Sequence, residues 1–69
     1  MNPHIYKQIE LTGTSESSIE DAVQRAITKA AATVRNIHWF EVLETRGSVD
    51  ANSQIQWQVI VKVGFSLED

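Results

Sequence analysis

A chain of 69 residues with six basic and nine acidic side chains, a net charge of −3 and no cysteine has room for one domain, residues 1–69. Its scattered basic residues argue against a nucleic-acid-binding protein, and no apolar run approaches the roughly 20 residues of a membrane span, so we expect a cytoplasmic protein. Because so short a chain forms a marginal core, and has neither a disulfide nor histidines at metal-ligand spacing, we expect partner copies to stabilise it.

Residues 5–12 predict the first strand. They are rich in β-branched and aromatic side chains, and Ile5, Ile9 and Leu11 share one face when the segment is extended. Lys7 falls on the same face and interrupts it. Residues 13–18 then supply the glycine, serine and threonine that favour a turn and a helix cap.

The next segment predicts an amphipathic helix. The spacing Ser17-x-x-Glu20 is that of a capping box, in which the serine hydroxyl and the glutamate bond each other's backbone amides. Apolar residues at spacings of three and four form one stripe: Ile19, Ala22, Val23, Ala26, Ile27, Ala30, Ala31 and Val34. Asn36 follows, and asparagine readily adopts the left-handed conformation that ends many helices.

Two further strands follow, and their alternation assigns each residue to a face. In the second strand, Phe40 and Val42 share one face while Trp39, Glu41 and Leu43 share the other. The third strand has an almost continuous apolar face: Ile55, Trp57, Val59, Val61, Val63, Phe65 and Leu67. Its opposite face is mostly polar: Gln54, Gln56, Gln58, Lys62, Ser66 and Glu68. The residues between the strands, 47–53, are typical of a turn.

The order of elements predicts an α+β fold of the β-α-β-β type. Strands joined by a short loop pair antiparallel, and a helix that crosses over from the first strand covers one face of the sheet. We therefore expect a three-stranded antiparallel sheet with one helix packed on one face. The other face is left bare, and we expect both function and assembly there.

Trp39 and Gln58 are the candidate binding residues, because alternation places both on the bare face. A strand tryptophan often belongs to a core or a subunit interface, and Gln58 alone could be a solvated strand residue. Together, an indole and a carboxamide suit a flat heteroaromatic ligand. Arg46 is either a phosphate clamp or a surface charge. A strict two-residue alternation places Arg46 on the other face of the sheet from Trp39. It therefore joins the site only if a bulge near Gly47 breaks the alternation, or if it comes from another subunit.

Signs of catalysis are weak. The three glycines are isolated, the serines lack the context of a nucleophile elbow, and neither histidine has a dyad partner. Glu10 with Glu41 or Glu44 could serve as acid and base, although surface carboxylates are usually just solvated. The sequence therefore does not look like that of an enzyme.

The chain resembles a dodecin across nearly its whole length. The matching stretches occur in the right order and spacing: Tyr6-Lys7, residues 10–15, Ala22-Val23, residues 33–35, residues 39–42, Arg46-Gly47, Gln58-Val59 and residues 62–65. Dodecins are small β-α-β-β proteins that assemble twelve copies into a hollow sphere of cubic symmetry. The resemblance implies the same hollow homododecamer for this chain.

The resemblance also implies a flavin ligand, either riboflavin, its mononucleotide FMN, or a degradation product such as lumichrome. In the family, two flavins stack between tryptophans at a subunit interface and a glutamine bonds the ring edge; Trp39 and Gln58 stand at those positions. Arg46 matches an arginine near the flavin phosphate in bacterial members. Ser66 and His38 replace a common arginine and a common acidic residue, which leaves the choice between riboflavin and FMN open. Coenzyme A is a further candidate ligand.

The implied role is flavin storage and photoprotection without turnover. An indole in contact with an excited flavin can donate an electron and regain it, which quenches the excited state before side reactions occur. Two alternatives stay open: an enzyme that uses the bound flavin for redox chemistry, and a scaffold whose bare face binds protein through Trp39.

Overall fold

The structure is a computed structural model that describes residues 4–67, and within these it has three strands and one helix in the predicted order. Strand β1 spans Tyr6–Ser15, helix α1 Ile19–Ala31, strand β2 Ile37–Val49 and strand β3 Ile55–Ser66. The sheet order is β1-β3-β2, and both pairs of neighbours are antiparallel. The predicted β-α-β-β fold is confirmed. Glu68, the last residue of the predicted polar face, lies outside the described residues.

The core lies between α1 and the side of the sheet that faces it. Its buried apolar side chains are three alanines of α1 and three valines of β3: Ala22, Ala26, Ala30, Val59, Val61 and Val63. The ends of the predicted apolar face of the third strand are not core, because Ile55 is 52% and Leu67 44% exposed. Trp57, which belongs to the same predicted apolar face, is only half-buried. A core made of alanine methyl groups on valines is thin, so much of the chain's apolar surface remains outside it.

Gly13 sets the close approach of α1 to β1. It is buried, and a Cβ at this position would overlap the backbone carbonyl of Ala22. The neighbouring alanine, Ala26, would also be in tight contact at 3.1 Å. Only a residue without a side chain therefore lets the alanine face of the helix rest on this strand.

Helix α1 begins one residue later than the predicted capping box. Ser18 is the N-cap, and its hydroxyl oxygen accepts a hydrogen bond from the backbone N–H of Asp21 at 3.0 Å. The prediction that Ser17 and Glu20 form the box is therefore wrong by one position. The physical reason is that Ser17 belongs to the preceding turn, where its backbone N–H donates to the buried Ser15 hydroxyl at 3.0 Å.

The segment after α1 also differs in detail from the prediction. The helix ends at Ala31 with Ala32 as its C-cap, before Val34. Asn36 has the expected left-handed conformation, with φ of 66°. It directs the chain into β2 rather than capping the helix, and its carbonyl accepts a hydrogen bond from the N–H of Ser66 at 3.1 Å.

The pairing of β2 with β3 shifts at two places, His38 and Leu43, where β2 has one extra residue. Side chains alternate between the two faces of a strand, so an extra residue exchanges the faces of everything after it. Phe40 and Val42 face the helix side before the bulge at Leu43, and Thr45 faces that side after it. A strict two-residue period counted from the start of β2 therefore assigns the residues after Leu43 to the wrong side of the sheet.

The side of the sheet away from α1 is the uncovered face. Its main side chains come from all three strands: Tyr6, Glu10, Trp39, Glu41, Glu44, Arg46, Gln58 and Lys62. Strand β2 is a sheet edge whose residues from 38 to 49 are all exposed. In the described part of the chain, no helix has the length and apolar character to cross a membrane.

The end of the β2–β3 hairpin extends beyond β1. The last pair of β1 is Ser15 with Trp57, whereas β2 and β3 stay paired as far as Val49 with Ile55. The connecting loop is ordered by Asp50, whose carboxylate accepts the backbone N–H groups of Asn52 at 2.8 Å and Gln54 at 3.0 Å. Residues 48–56, here named the hairpin end, therefore form a projection with a defined shape.

Candidate functional site

Trp39 forms a flat apolar platform at one end of the uncovered face. It pairs with Gly64, and its indole lies so close over this glycine that a Cβ there would overlap the benzo ring. The tryptophan nevertheless remains 37% exposed. The missing side chain at position 64 lets the indole lie against the strand while part of it stays open to a ligand.

Tyr6 and His38 border the indole. The Tyr6 ring meets that of Trp39 edge-on, with centroids 5.0 Å apart, and meets that of His38 at 5.8 Å with an interplanar angle of 90°. Such edge-to-face pairs contribute about 0.5–1.5 kcal/mol beyond their buried area. His38 Nε2 also lies 3.1 Å from the hydroxyl of Ser66. The indole is thus held from below by Gly64 and from the side by Tyr6.

Arg46 and Gln58 form a polar pair elsewhere on the same face. They are register partners on β2 and β3, and Arg46 Nε donates a hydrogen bond to Gln58 Oε1 at 2.9 Å. Arg46 Nη1 lies 3.7 Å from Glu44 Oε1. The bond uses one lone pair of the amide oxygen and leaves the other lone pair and the two Nε2 hydrogens for a ligand. Arg46 therefore fixes which way the amide points.

The expectation that a strict period puts Arg46 on the face opposite Trp39 is wrong. The extra residue at Leu43 reverses the alternation, so Arg46 and Trp39 lie on the same face. The sequence predicts that a bulge near Gly47 is one way to bring Arg46 into the site. Its actual position, four residues earlier, is close to the middle of β2.

The structure does not bring Trp39 and Gln58 together in one protomer. Trp39 pairs with Gly64, and Gln58 lies six residues earlier in the same strand. At about 3.3 Å per residue the two positions are roughly 20 Å apart. The prediction of an indole beside a carboxamide is therefore wrong for a single copy, because alternation determines the face of a residue and not its place along the strand. This separation is measured along the backbone of β3, and it exceeds the length of a fused heterocycle.

Charged side chains occupy the stretch between the two groups. Lys62 on the central strand pairs with Glu10 on one side and with Glu41 on the other. Opposite charges on neighbouring strands stabilise a sheet. Lys62 separates the two glutamates, which argues against their serving as an acid and base pair. Residues 4–67 contain no group of three or more histidine or acidic side chains that could hold a metal ion.

Two pKa shifts belong to the start of α1 rather than to the uncovered face. The Ser15 hydroxyl donates to Asp21 Oδ2 at 2.5 Å and Arg25 Nε donates to the same atom at 2.8 Å, which together lower the pKa of Asp21. The hydrogen bond to Asp21 in turn raises the pKa of Arg25. Because Ser15 is buried at the end of β1, this cluster anchors the helix to the sheet.

Sequence reasoning missed the support of the indole by Gly64 and Tyr6. A glycine inside a strand is unfavourable and often marks a close approach of another group, so the signal at Gly64 was present. Tyr6 alternates with Ile5 and therefore falls on the side of the sheet away from the helix. Leu43 carries no comparable signal, because neither it nor its neighbours in β2 include glycine or proline.

Comparisons with known proteins agree with this architecture. The family model described as "Dodecin" matches residues 5–68. A curated relative named "Dodecin" from Thermus thermophilus is 45% identical over 65 residues, which are 94% of each chain. A solved protein from Thermus thermophilus has a TM-score of 0.90 and 43% identity, covering 97% of this chain and 98% of that one. The structure of dodecin from Streptomyces coelicolor has a TM-score of 0.92 and 41% identity, covering 100% and 99% of the two chains.

Proposed function

Because this chain belongs to the dodecin family, we propose that it binds flavins on the uncovered face and stores them without turnover. Dodecins are small, non-catalytic proteins that bind flavin ligands, and membership implies a homo-oligomer, which the dodecin structures indicate to be a dodecamer. The proposed ligand is riboflavin or FMN, with lumichrome as a further candidate. We also propose that the chain is one domain, residues 1–69, and acts in the cytoplasm.

The observation that carries the proposal is the indole of Trp39 lying on Gly64 and still partly exposed. An exposed indole on a strand edge gains free energy when a planar ring stacks on it and excludes water. Two copies that face each other across a symmetry axis would enclose a pair of stacked flavins between their indoles. Such an arrangement covers both faces of each flavin, which leaves no open face for a substrate.

Gln58 would reach the ring edge from a second copy. The separation of roughly 20 Å along β3 supports this, since strands rise about 3.3 Å per residue and Gln58 of the same copy lies too far from Trp39. With Oε1 oriented by Arg46, the amide can donate from Nε2 to a flavin carbonyl and accept from the ring N–H. The remaining N–H groups of Arg46 are suited to the phosphate of FMN. Arg46 thus has two proposed roles, orienting the amide and binding phosphate.

The same contact explains photoprotection. An indole in van der Waals contact with an excited flavin transfers an electron and recovers it, so the excited state decays before it reacts. Binding should therefore quench flavin fluorescence strongly. This outcome separates storage from a redox enzyme, whose flavin must remain accessible to a second reactant.

The test is a titration of the purified assembly with riboflavin, followed by flavin emission. We expect strong quenching in the wild type and in Trp57→Phe, a matched control because Trp57 is half-buried on the helix side of β3. We expect Trp39→Ala to lose most of the quenching. Unchanged quenching in Trp39→Ala, or no uptake of flavin at micromolar concentration, would contradict the proposal. The second result would favour a protein-binding scaffold, and steady NADH oxidation by the flavin-loaded protein would favour an enzyme.

The natural ligand can be identified by denaturing the particle as purified from its host. Mass spectrometry of the released small molecules should show riboflavin, FMN or lumichrome. Coenzyme A, proposed as a further ligand of the same particle, would appear in the same spectrum. Because His38 and Ser66 depart from the family pattern, the choice between riboflavin and FMN is open. The ratio of the two released ligands would show which one this chain prefers.

A further inference from the structure

We propose that His38 and Ser66 form a pair that determines specificity, and that it favours FMN over riboflavin when the histidine is protonated. The inference rests on the proposed function, because it concerns the flavin that stacks on Trp39. The two flavins differ only in the terminal phosphate of FMN, so the pair acts on that phosphate. The preference of the site therefore depends on pH.

His38 lies beside the indole on the uncovered face. Ideal alternation would put neighbouring residues of a strand on opposite faces, but the pairing of β2 with β3 shifts between Ile37 and Trp39. The His38 ring packs edge-on against Tyr6 at 5.8 Å, and Tyr6 packs against Trp39 at 5.0 Å. Because of this irregularity, both His38 and Trp39 contact the same tyrosine. An exposed imidazole thus stands at the border of the ring on which a flavin would stack.

The contact between His38 and Ser66 changes its hydrogen-bonding capacity with protonation. His38 Nε2 lies 3.1 Å from the Ser66 hydroxyl oxygen. In a neutral imidazole one nitrogen donates and the other accepts, so the neutral pair has one donor left for a ligand: either Nδ1–H or the hydroxyl O–H. In the protonated pair Nε2–H donates to the hydroxyl oxygen, and both Nδ1–H and the hydroxyl O–H are left. Protonation therefore adds one donor and one positive charge.

Other ionisable groups surround the pair on the uncovered face, and they come from all three strands and the segment before β1: His4, Tyr6, Glu10, Glu41 and Lys62. Lys62 pairs with both glutamates across the sheet, so carboxylates offset its charge. The His4 ring lies 6.1 Å from that of Tyr6, which makes it the second histidine of this aromatic row. Arg46 lies beside Gln58, toward the other end of the same face.

A phosphate is the ligand group that the protonated pair suits. The flavin edge that Gln58 would bond carries carbonyl and N–H groups, whereas the ribityl chain leaves the central ring and extends beyond the border of the indole. A phosphate monoester carries a charge of about −1.5 to −2 and three acceptor oxygens. Two donors with a positive charge therefore gain more from FMN than from riboflavin, whose chain ends in a neutral hydroxyl. The neutral pair distinguishes the two ligands only weakly.

The pair predicts a pH profile opposite to the one that Arg46 alone predicts. A phosphate monoester gains its second negative charge near about pH 6. Since arginine stays charged, Arg46 alone would make the ratio of FMN affinity to riboflavin affinity rise with pH and then level off. Histidine loses its positive charge between about pH 5 and pH 8, so His38 should make this ratio fall. An exposed ion pair contributes up to about fivefold in affinity, and we expect a fall of about that size.

The test is a titration of the assembled protein with riboflavin and with FMN, followed by flavin emission between about pH 6 and pH 8. The buffers contain no phosphate and little salt, because salt screens exposed charges. We expect the affinity ratio to fall in the wild type and not in His38→Gln, whose amide cannot be protonated. Ser66→Ala should keep the fall but start from a lower ratio, since one donor is lost. His4→Gln is the matched control and should keep the wild-type profile.

His38→Lys tests the same claim in the opposite direction. A lysine stays charged over this pH range, so the ratio should remain high at the upper end instead of falling. Because each ratio compares two ligands on one variant, any change in the stacking of the ring affects both and cancels.

Several results would overturn the proposal while flavin binding itself stands. These are a wild-type ratio that does not fall with pH, a fall that persists in His38→Gln, and a fall in His38→Lys as large as that of the wild type. Loss of the fall in His4→Gln alone would assign the effect to the other histidine. A wild type that quenches neither ligand at any pH would instead contradict the proposed function, and this inference with it.

Discussion

Gly13 and Gly64 lie on opposite faces of the same sheet, and each leaves room for a close neighbour. On the helix side, Gly13 lets the backbone of α1 at Ala22 rest on β1. On the uncovered face, Gly64 lets the indole of Trp39 lie on β3. Gly13 is sealed beneath the helix, whereas the indole above Gly64 is still 37% exposed. The same residue type thus serves internal packing on one face and the presentation of a ring on the other.

This difference implies that adding a side chain has different consequences on the two faces. A side chain added on the helix side meets backbone that cannot move without disturbing α1. A side chain added on the uncovered face meets an indole that can swing away from the sheet. We therefore expect the first kind of change to lower stability and the second to lower ligand affinity.

Gly13→Ala should have the largest effect. The new Cβ would overlap the Ala22 carbonyl, and overpacking of a core costs about 1–3 kcal/mol or more. Because the obstacle is backbone, we expect a loss of about 3 kcal/mol in the free energy of unfolding, a large part of a typical total of about 5–15 kcal/mol. Denaturant unfolding followed by circular dichroism measures it. A stability equal to that of the wild type would contradict the expectation that an added side chain on the helix side lowers stability.

Gly64→Ala should come next, and its effect should be on the ligand. Displacing the indole should weaken riboflavin binding by about 10- to 100-fold, which corresponds to about 1.4–2.8 kcal/mol. Gly47→Ala is the matched control, because its Cβ would lie 3.2 Å from the Gln56 carbonyl oxygen, away from Trp39. Wild-type affinity in Gly64→Ala, or a loss of fold as severe as that of Gly13→Ala, would be evidence against the indole as a movable platform.

Arg46→Ala should have a smaller effect that separates its two proposed roles. Losing the hydrogen bond to Gln58 should cost riboflavin about 1 kcal/mol, or roughly fivefold in affinity, because the amide is no longer oriented. FMN should lose more, since its phosphate also loses a cation. Parallel titrations with the two ligands measure the difference. An unchanged riboflavin affinity would leave Arg46 with the phosphate role alone.

Asp21 should make a small contribution that depends on pH. Its pKa in the folded chain lies below the ordinary 3.8, chiefly because the Ser15 hydroxyl and Arg25 bond its carboxylate. The resulting stabilisation is complete above the unfolded pKa and is lost as pH falls through the folded pKa. Acid unfolding of wild type and Asp21→Asn should therefore converge at the lowest pH and differ above about pH 4. Parallel curves over the whole range would show that Asp21 is not coupled to folding.

Much of the fold could be predicted because its two strongest patterns are both set by burial. The apolar stripe of α1 and the alternation of β3 each arise from one buried face. They correctly indicated the order of the elements, and they correctly placed Trp39 and Gln58 on the face of the sheet that the helix does not cover. The exact cap differed because the Ser15 hydroxyl, at the buried end of β1, accepts the backbone N–H of Ser17, which leaves Ser18 to accept that of Asp21.

The candidate site was less predictable, for two physical reasons. The bulge at Leu43 arises from the pairing of β2 with β3, and no residue near it prefers an unusual backbone conformation. The distance between Trp39 and Gln58 follows from the hairpin register, which depends on the actual turn at residues 50–54 rather than on the broader turn expected from composition. Alternation therefore identified the face of each residue correctly, and it could not show how far apart the two residues lie along the sheet.

The proposal that two copies complete each flavin site is tested most directly with mixed particles. Chains with Trp39→Ala and chains with Gln58→Ala are co-assembled, isolated by a different tag on each, and titrated with riboflavin. Particles made of either variant alone should show weak quenching. If Trp39 of one copy and Gln58 of another act on the same flavin, some sites in mixed particles contain both residues, and part of the wild-type quenching should return. Mixed particles that quench no better than the pure variants would contradict the account.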